Sequence, residues 1–249
     1  MERVEHPLHH FFEFTEEIYE VYKREGLESL KQITDGDTRL DSTFSTILNR
    51  KQNLYPLPHS IFKLQEELSF ITQDIMYVTG LLYYFRPYIV DVAETNAVYK
   101  QNLPDHRYLT YATFGMQSIY NYWDRIGDIL YIYFETGLKP KSVYFGSVLN
   151  NINPKYQESE YFIQLNKIYQ DEIKPFIDER NTAVHSYQLE TKYYWGNVEL
   201  QGEANRVERE NLNTEKHSYP EKYKHHLELC ITGFRLMLNL IDTLPDKSY

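Results

Sequence analysis

Cysteine is nearly absent. Cys230 is the single one in 249 residues, so no disulfide can form within the chain and no cysteine-based metal cluster is available. Long hydrophobic runs are missing too. The most apolar window, Ile75 to Phe85, is bounded by Asp74 and Arg86 and is too short to span a bilayer. At the N-terminus, Met1-Glu2-Arg3-Val4-Glu5-His6 carries charge where a signal peptide would need an apolar stretch. These absences predict a soluble, cytoplasmic protein with no membrane partner. Excess positive charge is lacking as well, since the net charge is −10. That balance counts against a broad surface for nucleic acid, whose binding is driven by neutralising phosphates, although a local basic cleft remains open. Neither a Walker-type phosphate loop nor a serine-hydrolase elbow is present, and nothing calls for a cofactor or a resident metal.

What the chain does have is an ordinary globular balance, 42% hydrophobic and 25% charged, with an unusual aromatic share of 24 Tyr and 13 Phe. Tyrosine packs its ring while keeping a hydroxyl for water or a partner, which suits thick seams between helices. Apolar residues recur three and four apart in three long stripes. One runs Ile61, Leu64, Leu68, Ile71, Ile75, Val78, Leu82, Phe85 and is stopped at Pro87. Another runs Leu109, Ala112, Met116, Ile119, Trp123, Ile126, Leu130, Tyr133 and ends near Gly137. A third runs Tyr223, Leu227, Cys230, Phe234, Met237, Ile241, Leu244. Such stripes must be buried against other helices, so the fold class expected is all-α, an up-and-down helical bundle.

Weaker signals fill the rest. Phe11, Phe14, Ile18 and Val21 mark an N-terminal helix ending near Gly26, and residues 34 to 58 read as loop with a short helix near Phe44 to Leu48. A helical pattern from Gln157 to Tyr187 is interrupted at Pro175, predicting a kink or two helices. Gly196-Asn197, flanked by Lys192-Tyr193-Tyr194-Trp195 and Val198-Glu199-Leu200, signals a small β-hairpin, followed by a polar loop from Gln201 to His217. The organisation expected is an N-terminal helical arm over 1–55 on a bundle domain over 56–249, with 189–217 as an insertion.

The run Arg180-Asn181-Thr182-Ala183-Val184-His185 falls on the helix that restarts after Pro175. Arg180 lies in line with Phe176, Ala183 and Tyr187, and Asn181 and His185 are one turn apart. Arg180 and His185 sit about 140° apart around the axis, so they can flank one cleft. An arginine in an apolar stripe requires a carboxylate partner, a cleft or a subunit boundary, because burying its charge alone is costly. An ion pair with Asp124 or Asp128, one turn apart on the Trp123 helix, is one such solution. It would make them a supporting shell for the motif.

Arg180-Asn181 followed by His185, late in a long helix of an all-helical bundle, resembles the signature of the HEPN superfamily (higher eukaryotes and prokaryotes nucleotide-binding domain). The likeness is placed over about 105–245. It implies a metal-independent ribonuclease acting on RNA or a nucleotide, with two protomers forming a composite site. A defence or toxin-like role is implied too, with an antitoxin-type protein as candidate partner. Carried over, His185 serves as general acid or base, Arg180 stabilises charge on the phosphate, and Asn181 orients His185 or contacts a phosphate oxygen. Other members of that superfamily are non-catalytic, so a nucleotide-binding or protein-interaction module is the alternative. Two histidine clusters, His6, His9 and His10 near the N-terminus and the adjacent His225 and His226, read as surface residues.

Overall fold

The computed structural model describes residues 9–36, 38–56, 60–91, 101–185, 188–200 and 202–247, with the side chains of 9–11, 61, 184, 185 and 197 outside the description. Its elements in chain order are α1 (His9–Glu25), a two-residue antiparallel pair β1 (Thr34–Asp35) and β2 (Thr38–Arg39), α2 (Leu40–Arg50) and α3 (Ile61–Phe85). Then follow α4 (Leu103–Tyr133), α5 (Phe145–Asn151), α6 (Glu160–Ile168), α7 (Lys174–His185), α8 (Leu189–Glu199), α9 (Arg206–His217) and α10 (Tyr219–Asp242). The fold is all-α.

The three long stripes form α3, α4 and α10, which pack on one another at the centre. Ser60 caps α3 by accepting the Lys63 N–H, and the 3-10 turn at Arg86–Tyr88 ends it, as Pro87 requires. At the start of α4, Asn102 and Asp105 form a reciprocal capping box. Asp105 is fully buried, and its carboxylate also accepts from the backbone N–H of Val90 at 3.1 Å and from the buried Lys216 ammonium, which in turn donates to the Val90 carbonyl at 2.9 Å.

The tyrosines explain themselves at the seams. Tyr108, Tyr122 and Tyr223 are buried, yet each donates its hydroxyl to a carbonyl of a facing helix or its end: Lys216 at 2.7 Å, Cys230 at 2.7 Å, and Ala112. A carbonyl already bonded within its helix has a second lone pair to offer, so phenols cross-link the bundle without leaving polar atoms stranded.

Two expectations are corrected. The segment read as a β-hairpin around Gly196-Asn197 is the helix α8. Tyr193 is buried with its hydroxyl 3.3 Å from that of Tyr219, and the Leu212 side chain lies where a side chain at Gly196 would stand. Packing has overridden local β propensity. The polar stretch read as a loop holds α9, whose Arg209 donates to the carbonyls of Leu200 at 2.8 Å and Gly202 at 3.1 Å, while Glu215 pairs with Lys192. Helix α2 is also longer than the short helix expected near Phe44.

In the arm, Val21, Leu27, Leu30, Phe44 and Leu48 belong to the same hydrophobic cluster as α3, α4 and α10. Lys51, at the end of α2, donates to the carbonyls of Asp242 and Leu244, both at 2.8 Å, and pairs with Asp246 at 2.8 Å.

Candidate functional site around Arg180

Between α6 and α7 the chain makes one π turn, Tyr169–Ile173, in which the Lys174 N–H bonds the Tyr169 carbonyl. Proline cannot donate to the carbonyl four residues back and crowds it, so the wide turn just ahead of Pro175 lets the helix continue. What emerges is α7 with Phe176 and Ala183 buried and Arg180 half-buried between them, facing α4. Tyr187, expected on the same line, lies outside the described residues.

Three side chains hold the guanidinium. Its Nη2 donates to Gln117 Oε1 at 2.6 Å and its Nη1 to Asn181 Oδ1 at 3.0 Å. Its Cζ lies 4.4 Å from the centre of the Tyr120 ring. The Tyr120 hydroxyl in turn hydrogen-bonds the Asp124 carboxylate, which also accepts the backbone N–H of Phe145 at the start of α5. A phenol donating to a carboxylate gains electron density in its ring, so this arrangement strengthens the cation–π contact above it. Gln117, Tyr120 and Asp124 are spaced at i, i+3 and i+7, one stripe of α4 turned toward α7. Burial raises the pKa of Asp124 and the nearby charge of Asp128 adds to it, while the bonds from Tyr120 and Phe145 oppose the shift.

Arg180 makes no ion pair among the described residues, so its link to Asp124 runs through the Tyr120 ring and not by direct contact. Asp128 faces elsewhere. It pairs with Arg125 at 2.6 Å, which also pairs with Glu67 at 2.6 Å across on α3. Burial raises the pKa of Asp128 despite that partner.

Of the five guanidinium N–H groups, two are spent on Gln117 and Asn181. The Nε–H is buried with no partner among the described residues, which leaves one further N–H on each Nη unspent among those residues. Arg180 also lines a groove of about 470 Å³ with Thr110, Phe114, Gln117, Ala183 and Glu190. At its rim Glu190 accepts from the Thr110 hydroxyl at 3.4 Å and pairs with His106 Nδ1 at 2.9 Å. Glu179, the acidic neighbour of Arg180, is matched by Lys222 of α10.

His185 is the last residue of α7, and its side chain lies outside the description, as do the residues of the N-terminal histidine cluster or their side chains. The other histidine pair divides. His225 lies 3.2 Å from Glu172, whereas His226 is buried against Phe176 at 4.3 Å between ring centres, which corrects its reading as a surface residue. It faces α7 because it falls on the Tyr223–Leu227–Cys230 side of α10. No group of three or more candidate metal-ligating side chains lies among the described residues. Gln117 and Tyr120 were not anticipated from sequence. The signal for them was available: both lie off the apolar stripe of α4, in line with Asp124.

A family model, that of the Cthe2314-like HEPN domain, matches residues 64–244. No curated protein and no solved structure matches the chain. The matched span runs from α3 to α10 and includes α4 and α7, whose side chains hold Arg180 in place, and on it rests the assignment: the chain belongs to the HEPN family.

Proposed function

We propose that this protein is a metal-independent endoribonuclease acting as a homodimer, with Arg180, Asn181 and His185 of each protomer contributing to one composite site. The observation that carries the reading is the state of Arg180. It is fixed from three sides, has no carboxylate partner among the described residues, and keeps two unspent N–H groups while lining a groove. A fixed guanidinium with unspent donors suits the non-bridging oxygens of a phosphate.

In the reaction proposed, the ribose 2′-oxygen attacks the adjacent phosphorus and the bond from phosphorus to the 5′-oxygen breaks. One His185 accepts the 2′-hydroxyl proton, and a protonated His185, from the same or the second protomer, supplies a proton to the leaving 5′-oxygen. Arg180 meets the charge that grows on the non-bridging oxygens. Asn181 holds the guanidinium by its Oδ1, and its amide remains available for His185 one turn on.

The test is a panel of RNAs incubated with purified wild type and His185→Ala in parallel, with and without chelator. Cleavage by the wild type that survives chelator and falls on the order of a hundredfold in His185→Ala supports the reading. Arg180→Lys should impair cleavage too, since a point charge cannot reproduce a two-pronged contact. Equal cleavage by wild type and His185→Ala rejects it. RNA or nucleotide binding without cleavage by any form favours the non-catalytic module.

A further inference from the structure

Helix α8 follows α7 in the chain, and its first turn brings Glu190 to the groove that Arg180 lines. A carboxylate repels phosphate, so in a groove for RNA it must meet a different part of the ligand. The floor of the groove is one stripe of α4, Thr110, Phe114 and Gln117, at i, i+4 and i+7. Gln117 bonds Arg180 at one end of that stripe, and Thr110 approaches Glu190 at the other, about 10 Å away by helix rise. Between them stands Phe114, 50% exposed. A nucleotide spans a similar interval from its phosphate to the far edge of its base.

Glu190 is presented there as an acceptor. His106 Nδ1 lies 2.9 Å from its Oε1. The Thr110 hydroxyl has a single proton, which it gives to the His106 carbonyl at 2.8 Å, and it reaches Glu190 only at 3.4 Å. Oε1 therefore keeps room for a second donor, and no hydrogen bond occupies Oε2 among the described residues. Two adjacent acceptor atoms match a base edge that carries two adjacent donors. Guanine alone of the four RNA bases has one, its N1–H beside its N2 amine. Adenine and cytosine set an amine beside a bare ring nitrogen, and uracil sets one N–H between two carbonyls. Each of these brings a lone pair against a carboxylate oxygen. We propose that the groove holds a guanine base, stacked on Phe114 and read by Glu190, with the phosphate of the same nucleotide on Arg180. The inference rests on Arg180 meeting a phosphate, as in the reading above, and names the base beside it.

The test is binding of the full chain to fluorescent uridine hexamers that carry one guanine, adenine, cytosine or inosine, built on 2′-fluoro sugars that 2′ attack cannot cleave. Wild type should prefer the guanine hexamer at least about tenfold. Inosine lacks the N2 amine and should lose most of that preference, with no change made to the protein. Glu190→Gln trades one acceptor for a donor, so its preference should move to adenine or cytosine. Phe114→Ala should weaken every hexamer roughly tenfold and leave their order unchanged. Both variants should keep the wild-type circular-dichroism spectrum. Guanosine 5′-monophosphate competing more weakly than the guanine hexamer marks an RNA chain as the occupant, and the reverse marks a free nucleotide in the same pocket. Equal affinity across the bases, or a guanine preference that survives Glu190→Gln, overturns the base pocket and leaves the nuclease reading to the His185→Ala assay. The pocket is overturned in the same way if no hexamer binds wild type below about 1 mM.

Discussion

Arg180 shows how a charge is kept in a helical seam with no carboxylate paired to it among the described residues. Its attraction to Tyr120 and its bonds to Gln117 and Asn181 are each modest, but together they fix the plane of the guanidinium. A double-mutant cycle on stability, with Tyr120→Leu and Arg180→Met, should give a coupling of about 1 kcal/mol. Coupling indistinguishable from zero in urea melts would mean that ring and cation are mere neighbours. Tyr120→Phe should retain most of that coupling, since it keeps the ring and loses only the link to Asp124. The arginine and its Asn181 were legible in sequence because a charged residue in an apolar stripe needs an explanation. The clamp was not, because which stripe of α4 faces α7 is a tertiary fact: Gln117 and Tyr120 are ordinary surface residues until the π turn sets the phase of the helix opposite.

Among the elements, α4 and α5 approach backbone to backbone at Gly127. A Cβ on Gly127 would stand 2.7 Å from the backbone N and Cα of Phe145, and backbone cannot step aside as a flexible side chain can. Alanine would gain helix propensity there and still lose by overpacking, for an expected net destabilisation of about 1–2 kcal/mol in Gly127→Ala. The same displacement moves the Phe145 N–H away from Asp124, so any cleavage activity should fall more than stability alone predicts. A variant as stable as wild type would show that α5 is free to slide. Helices such as α3, α4 and α10 could be bounded from their stripes and terminal prolines, because burial of one face both creates the pattern and holds the element. Helix α9 gave no such pattern. It is held by Arg209, which bonds the carbonyls of the turn after α8, and by Glu215 and Lys216, whose partners lie on α8, the start of α4 and the Val90 segment, and only the folded chain brings these last together.

For the molecule as a whole, acid is expected to act through His226. Burial, with the nearby charge of Lys222 and then His225 adding to it, pushes its pKa down to about 3 from an ordinary 6.5. Between those values the unfolded chain binds a proton at this site and the folded chain does not, so stability is lost as pH falls below about 6.5. At pH 5 the loss is about 2 kcal/mol. His226→Leu should flatten that part of the pH profile at little cost near pH 7, since the buried Nδ1 has no partner among the described residues. Thermal melts of both proteins from pH 7 to 5 check this, and parallel curves would assign the acid sensitivity elsewhere.

The tie between Lys51 and the far end of the chain has a consequence in time. Lys51 and the carbonyl of Asp242 are 191 residues apart, and α2 packs on both α3 and α10. A ribosome adding about 5–20 residues per second needs roughly 10 to 40 s to make what lies between. During that interval Leu40, Phe44 and Leu48 have left the ribosome without the α10 side of the surface that will cover them, where Phe44 stacks on Phe234. This early segment is thus among the last to complete its docking, and at low temperature or high expression it is where misassembly should begin.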